Sequence, residues 1–243
     1  MLKRIHHPGS YQTGDELTLP ESTSHYLSNV LRKKMGEPLL LIPGNLMEWE
    51  ADIIAINKKN VTVKIGRGQQ VNRASPLHIH LAQSIGKGDK FDFIVQKSVE
   101  LGVAELTPVV SSRSACSTLE KNRIEKKQAH WQAILISAVE QCGRTELPML
   151  HPLCTFEQFL TQANAPQQWI LSPSASHSLS EQGLTSAPIA LLIGPEGGWS
   201  DSEYQQAIAA QFHPISLGPR ILRTETAPIA ILSILQALKG DLK

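Results

Sequence analysis

Cysteine is scarce in this chain, with only Cys116, Cys142 and Cys154 among 243 residues. They lie far apart and form no CxxC pair, which argues against a disulfide framework and against a structural zinc site. Charge of one sign is also lacking. Lys and Arg number 23 against 22 Asp and Glu, for a formal net charge of +1, so the overall balance does not single out nucleic acid as a partner. Long apolar runs are missing as well. The longest, residues 228–235 (PIAILSIL), contains a serine and is too short to span a bilayer. The N-terminal MLKRIHHPGSY carries basic residues with no apolar run behind them and is no signal peptide. These absences point to a soluble, cytoplasmic protein with no membrane partner.

What is present suffices for a sizeable core, since hydrophobic residues make up 41% of the chain. The length allows one large domain or two ordinary ones. Residues 1–72 hold nine Lys and Arg against seven Asp and Glu, and residues 73–243 hold fourteen against fifteen, a mild asymmetry. Residues 22–34 (STSHYLSNVLRKK) read as a short helix that Ser22 or Ser24 can cap. Strand-like runs follow at 38–43, 49–56 and 60–65, separated by turn residues, and suggest a small antiparallel sheet or barrel. Residues 66–76 (GRGQQVNRASP) read as a linker.

Strands and helices then alternate. Strands are expected at 77–83, 106–110, 168–171, 189–193 and 214–217, and helices at 89–101, 119–142, 202–211 and 227–238. The alternation implies a mostly parallel sheet covered by helices. The last helix is apolar nearly all round, which favours packing on its own sheet and on a second subunit.

In open α/β sheets ligands bind beyond the carboxyl ends of strands. Three late strands run into Ser172-Pro173, into Gly194–Ser200 (GPEGGWS) and into Gly218-Pro219-Arg220. The GPEGGWS glycines allow close backbone approach, and Ser200 with Glu203 forms a capping box. The segment matches neither common nucleotide fingerprint, and a plain strand-to-helix turn would need the same glycines. In residues 217–227 (LGPRILRTETA), Arg220 and Arg223 lie three apart, and Thr226 with Pro228 resembles a helix start. Capping leaves Ile221 and Leu222 unexplained, and an aromatic ligand such as adenine would give them something to cover. Glu100 ends a helix as a solvated acid or a functional one. Arg144, in residues 140–144 (EQCGR), suits a helix dipole. His78 and His80 face one way on a strand but have no third ligand near them in sequence, so no metal is expected. Cys142 reads as a structural cysteine.

The segments Arg4-Ile5, HYLSNVLR at 25–32, QKSVELGV at 96–103, EQCGR at 140–144, GPEGGWS and LGPRILRTETA together resemble a bacterial family within the SPOUT superfamily. That family methylates N3 of a uridine in small-subunit (16S) ribosomal RNA. The resemblance implies an α/β fold: a C-terminal SPOUT methyltransferase domain with a trefoil knot at 73–243, preceded by a small PUA-like RNA-binding β-barrel at 1–72. It implies S-adenosylmethionine as cofactor and a homodimer through the C-terminal domain. The substrate would be 16S ribosomal RNA, free or in the assembled small subunit. Carried over by position, the cofactor residues are Leu171, Gly194, Pro195, Glu196, Gly197, Gly198, Leu217, Gly218, Ile221 and Leu222. His6 stands where the family often has an aromatic residue, so no base-stacking role falls to it.

A sulfonium methyl is already activated, so alignment and charge control are the remaining needs. Uracil N3 must lose a proton, to Glu100, Glu196 or water, while a cation at Arg223 stabilises charge on the ring carbonyls. Arg4, Arg32, Lys33, Lys34 and Arg113 are plausible phosphate contacts. The competing readings are a related enzyme that methylates a ribose 2′-hydroxyl of transfer RNA, and a non-catalytic RNA-binding protein.

Overall fold

The computed structural model describes residues 2–86, 88, 90–114, 121–179 and 183–242. Cys116, and residues 119–120 of the expected long helix, lie outside them. By internal contacts the chain falls into two compact units, Met1–Ala74 with Val139–Leu147, and Ser75–Ala138 with Pro148–Lys243.

The first unit is a five-stranded sheet in the order β1-β3-β4-β5-β2. Its strands are β1 (Arg4–His6), β2 (Glu16–Thr18), β3 (Pro38–Ile42), β4 (Met47–Ile56) and β5 (Val61–Gln70). β1 joins β3 in parallel; every other ladder is antiparallel. Alternation explains the core: Val61, Val63 and Ile65 point inward to Leu39, Leu41 and Ile53, while Lys64 points out. No ladder joins the edge strands β1 and β2 among the described residues.

Two expectations for this unit hold only in part. The helix of 22–34 is α1 (Glu21–His25) followed by one π-helical stretch, Tyr26–Val30. Neither Ser22 nor Ser24 caps it: both lie inside the helix, whose N-cap residue is Pro20, and the buried Ser24 hydroxyl donates to the Leu19 carbonyl at 3.0 Å and accepts from Val61 N–H at 2.9 Å. Residues 66–70, read as linker, continue β5. Gly68 pairs with Trp49 across the ladder, and a Cβ on it would lie 2.7 Å from the indole. Glycine is there to admit a ring, not to loosen the chain.

The EQCGR segment braces this same unit. Glu140 accepts from Lys3 Nζ and from the His6 amide, both at 2.9 Å. Arg144 pairs with Glu146 rather than acting only on a helix dipole. Burial pushes the Glu48 carboxyl up, but Arg73 and Arg4 outweigh it and hold it below the usual range.

The second unit carries a seven-stranded sheet in which every ladder is parallel. The main order is β12-β10-β11-β6-β7-β8, with β9 paired to β7. The strands are β6 (Ile79–Ser84), β7 (Glu105–Val110), β8 (Met149–Leu150), β9 (Cys154–Thr155), β10 (Gln167–Leu171), β11 (Ile189–Ile193) and β12 (His213–Ile215). The helices are α2 (Lys90–Glu100), α3 (Lys121–Cys142), α4 (Phe156–Gln162), α5 (Asp201–Ala209) and α6 (Thr226–Lys239). All five residues of β11 are buried, as a strand covered on both faces requires. Phe156 and Phe159 of α4 and Ala207 of α5 pack on Ala82, Ile170, Ala190 and Leu192 on one face. α6 begins at Thr226 with Glu225 as its cap residue and no side-chain cap bond, so the expected Thr226 cap is not made.

Candidate functional site

β10, β11 and β12 are neighbours, so the loops after their carboxyl ends meet on one rim. They enclose a cavity of about 840 Å³, within the usual ~300–1,000 Å³ of small-molecule sites. All ten residues expected to hold the cofactor line it: Leu171, Gly194, Pro195, Glu196, Gly197, Gly198, Leu217, Gly218, Ile221 and Leu222. Arg223 lines it too.

The GPEGGWS loop has a local logic. Gly198 N–H donates to the Pro195 carbonyl at 2.9 Å, and Gly198 sits at φ +65°, where side chains are rarely tolerated. Trp199 folds back so that a Cβ on Gly194 would come 3.2 Å from its ring, while its Nε1–H donates to the Leu171 carbonyl at 3.2 Å. Ser200 then caps α5 with Glu203 in a complete capping box. The Glu203 carboxylate also accepts from the Ser112 amide at 2.6 Å and the Ser112 hydroxyl at 2.8 Å.

The loop of 217–225 is tied to the GPEGGWS loop. The Thr224 hydroxyl donates to the Gly194 carbonyl at 2.8 Å. Gln83, buried on β6, sits beneath both, with Nε2 within 3.4 Å of the Gly194 carbonyl and 3.3 Å of Thr224 Oγ1. The sequence reading missed Gln83, Thr224, Trp199 and Lys90. A glutamine within the apolar run of β6 was the available signal for the first, since a buried amide needs partners.

Charge gathers on one side of the rim. Lys90 Nζ lies 3.0 Å from Glu196 and 3.4 Å from Glu225. The hydrogen bond from Glu196 raises the Lys90 ammonium above its ordinary value, with the two carboxylate charges adding to it. The Arg223 side chain has no ion pair among the described residues, and its carbonyl accepts from the Thr226 and Ala227 amides at the start of α6. Glu100 is elsewhere, at the end of α2, paired with Lys97 at 2.8 Å and not lining the cavity.

The basic residues divide likewise. Arg4 pairs with Glu48 at 2.9 Å and is mostly buried. Arg113 donates to the Gly197 carbonyl at 2.7 Å, which makes it a support of the loop. Lys33 pairs with Glu37. Arg32 and Lys34 are exposed, and Arg32 takes φ +53° just after the π-helical stretch.

The cavity suits S-adenosylmethionine. Leu171, Ile193, Ile215, Leu217 and Leu222 offer apolar surface to a flat base, and the glycines leave backbone groups within reach of its polar edge. Glu196 lines the cavity, paired through Lys90 with Glu225.

The spacing of residues in sequence does not show every potential metal ligand near the His78 and His80 pair. His78 and His80 do have further ligand types at hand, because β7 brings Glu105 and the segment after β8 brings His151 against them.

Comparison with known proteins agrees with this geometry. The family described as RNA methyltransferase domain matches residues 73–236, and the RNA methyltransferase PUA domain matches residues 19–66. A ribosomal RNA small subunit methyltransferase E from Buchnera aphidicola (Schizaphis graminum) is 38% identical over 99% of this chain and 98% of its own. A Legionella pneumophila protein, solved with S-adenosylmethionine bound, superposes with a TM-score of 0.97 at 43% identity over the whole of both chains. The Neisseria gonorrhoeae ribosomal RNA small subunit methyltransferase E, also bound to S-adenosylmethionine, gives 0.93 at 36% identity over the whole of both chains.

Proposed function

This chain belongs to the RNA methyltransferase family, and from that premise we propose that it transfers a methyl group from S-adenosylmethionine to N3 of one uridine in 16S ribosomal RNA. It is an S-adenosylmethionine-dependent methyltransferase of small-subunit ribosomal RNA. The observation that carries the finer reading is the convergence of three strand-end loops on one cavity that Arg223 and Glu196 both line.

Bound in that cavity, the cofactor supplies an electrophilic methyl group. Leu217, Gly218, Ile221 and Leu222, with Leu171 and the GPEGG residues, orient it. The Arg223 guanidinium, not engaged by an ion pair among the described residues, holds the charge that grows on a uracil carbonyl as N3 loses its proton. Glu196 takes that proton in this reading, held at the rim by Lys90. Glu100, paired with Lys97 and absent from the cavity lining, is the weaker choice. Among the basic residues, Arg32, Lys33 and Lys34 are the phosphate contacts of a PUA-like RNA-binding domain at 1–72. Arg4 and Arg113 act by bracing structure instead.

Three further elements belong to this reading. The catalytic domain, 73–243, is a SPOUT domain whose last segments form a trefoil knot. It acts as a homodimer, which the exposure of Ile234 and Leu238 on α6 supports. Its place of action is the cytoplasm, on 16S ribosomal RNA or the assembled small subunit; no described helix is long and apolar enough to cross a membrane.

The test is methylation of ribosomal RNA taken from a strain lacking the gene, as free RNA and as small subunits, followed by nucleoside analysis. N3-methyluridine in 16S RNA is expected. A ribose-methylated product, or none with either substrate, overturns the reading. Arg223→Ala should lower turnover by about 100-fold or more while calorimetric binding of the cofactor persists. Turnover near that of the parent would remove Arg223 from the mechanism.

A further inference from the structure

The parallel sheet has a second cluster of reactive side chains, at the end of its strands opposite the cavity. His80 is the second residue of β6 and stands directly across the ladder from Glu105, the first residue of β7. His151 follows β8, whose Met149 pairs with Glu105. The parallel register therefore places two imidazoles and a carboxylate side by side.

Their atoms are arranged as ligands and supports. Glu105 Oε2 lies 2.5 Å from His151 Nε2 and 3.8 Å from His80 Nδ1. One ligand atom from each of the three residues falls within 4.8 Å of the others. On an ion with bonds of ~2.1 Å in tetrahedral geometry, ligand atoms sit about 3.4 Å apart, so ring rotations of modest size bring the set into range. His80 and Glu105 are also held from outside the cluster. His80 Nε2 is 2.7 Å from Thr107 Oγ1, which leaves Nδ1 to face inward. His78 Nε2 is 2.6 Å from Glu105 Oε1, which leaves Oε2 for the other two. Such outer partners, fixing ring and carboxylate orientation, are what ligands of bound metals commonly have. Packing adds to the alignment, because the His80 and His151 rings stack at 4.9 Å and Phe159 meets His80 edge-on.

We propose that His80, Glu105 and His151 bind one divalent transition-metal ion of the zinc type, with water completing its coordination. Two imidazoles and one carboxylate form a donor set suited to zinc, whereas calcium and magnesium prefer oxygen alone. The site lies at the strand ends remote from the cofactor cavity, so the ion ties β6 and β7 to the segment that leads into α4 and takes no part in methyl transfer.

The test uses the full chain, freed of metal by chelator and titrated with zinc chloride in a calorimeter, with cobalt(II) absorption as a second probe. One ion per chain is expected, together with a higher thermal midpoint and visible cobalt bands of a low-coordinate site. His151→Ala and Glu105→Gln should each weaken zinc binding by about tenfold or more, and His213→Ala, an exposed histidine on another strand, should not. Circular dichroism of each variant checks that it is folded. Should His151→Ala fold poorly, Thr107→Val gives an independent reading, since losing the support of His80 should also weaken binding. No zinc uptake by the folded parent at about 100 μM, or uptake unchanged in the folded His151, Glu105 and Thr107 variants, overturns the proposal.

Discussion

The Thr224 hydroxyl donates a 2.8 Å hydrogen bond to the Gly194 carbonyl, joining residues thirty positions apart in the chain. Thr224 is buried. The bond therefore couples the loop that opens α6 to the loop that opens α5, and the cavity lies between the two. Removing one partner of a buried hydrogen bond costs about 1–3 kcal/mol. Thr224→Val keeps the shape and loses the donor, so cofactor affinity should fall by about tenfold, as read by calorimetry. Thr224→Ser should retain most of it. Equal affinities in the two variants would show that the loops are held by other contacts.

The Gly68–Trp49 pair makes a prediction about the first unit. A Cβ on Gly68 would stand 2.7 Å from the indole, closer than real Cβ contacts come. Gly68→Ala should destabilise this unit by about 1–3 kcal/mol, the usual range for overpacking, measured by urea denaturation. In a Trp49→Ala background the same substitution should cost little, because the obstacle is gone. A penalty that survives removal of the ring would locate the cause in the backbone.

Glu203 makes a prediction about acid stability near the cavity. Burial pushes its carboxyl up, but hydrogen bonds from the Ser112 and Ser200 amides and hydroxyls together outweigh burial and hold it below the usual range. Its folded pKa is thus lower than its unfolded one. The stability it contributes is fully present above the unfolded value of about 4.3 and is lost as pH falls through the folded value. Glu203→Gln should lower the urea midpoint at pH 7, with the gap from the parent narrowing below about pH 4. A gap that stays constant down to acid pH would mean that the charge of Glu203 is not what stabilises this region.

Much of the site was legible because its signals are local. The Ser200–Glu203 box spans four residues, and the run IALLI before GPEGG marks a doubly covered strand wherever it sits. Whole-chain resemblance then supplied the ten expected cofactor residues that line the cavity, which no spacing rule would have picked out. Long-range features were not legible. Ser24 has the right chemistry for a helix cap but spends it on Leu19 and Val61. Gly66 and Gly68 carry linker composition, yet each faces a β4 residue closely, Glu50 for the first and Trp49 for the second. Glu105 and His151 are 46 positions apart and meet only because β7 and β8 are neighbours. The helix α4 was missed although Thr155 and Gln158 form a full capping box, since the helix has only seven residues and shows little periodicity.

The outer face of α6 leads to the last prediction. Pro228, Ile231, Leu232 and Leu235 are buried in their own unit, whereas Ile234 is 38% and Leu238 56% exposed. A helix that is apolar on its outer side as well as its inner side leaves surface that a symmetric partner would cover. In sedimentation equilibrium at micromolar concentration the parent should have twice the chain mass of 26.7 kDa. Leu238→Asp places a charge where the partner would pack, so it should shift the chain toward the monomer, with Ile234→Asp doing the same. Neither change touches the inner face, and the thermal midpoint measured at the lowest usable concentration should stay close to that of the parent. A parent that is monomeric, or a dimer that both aspartates leave intact, would show that α6 is not the contact.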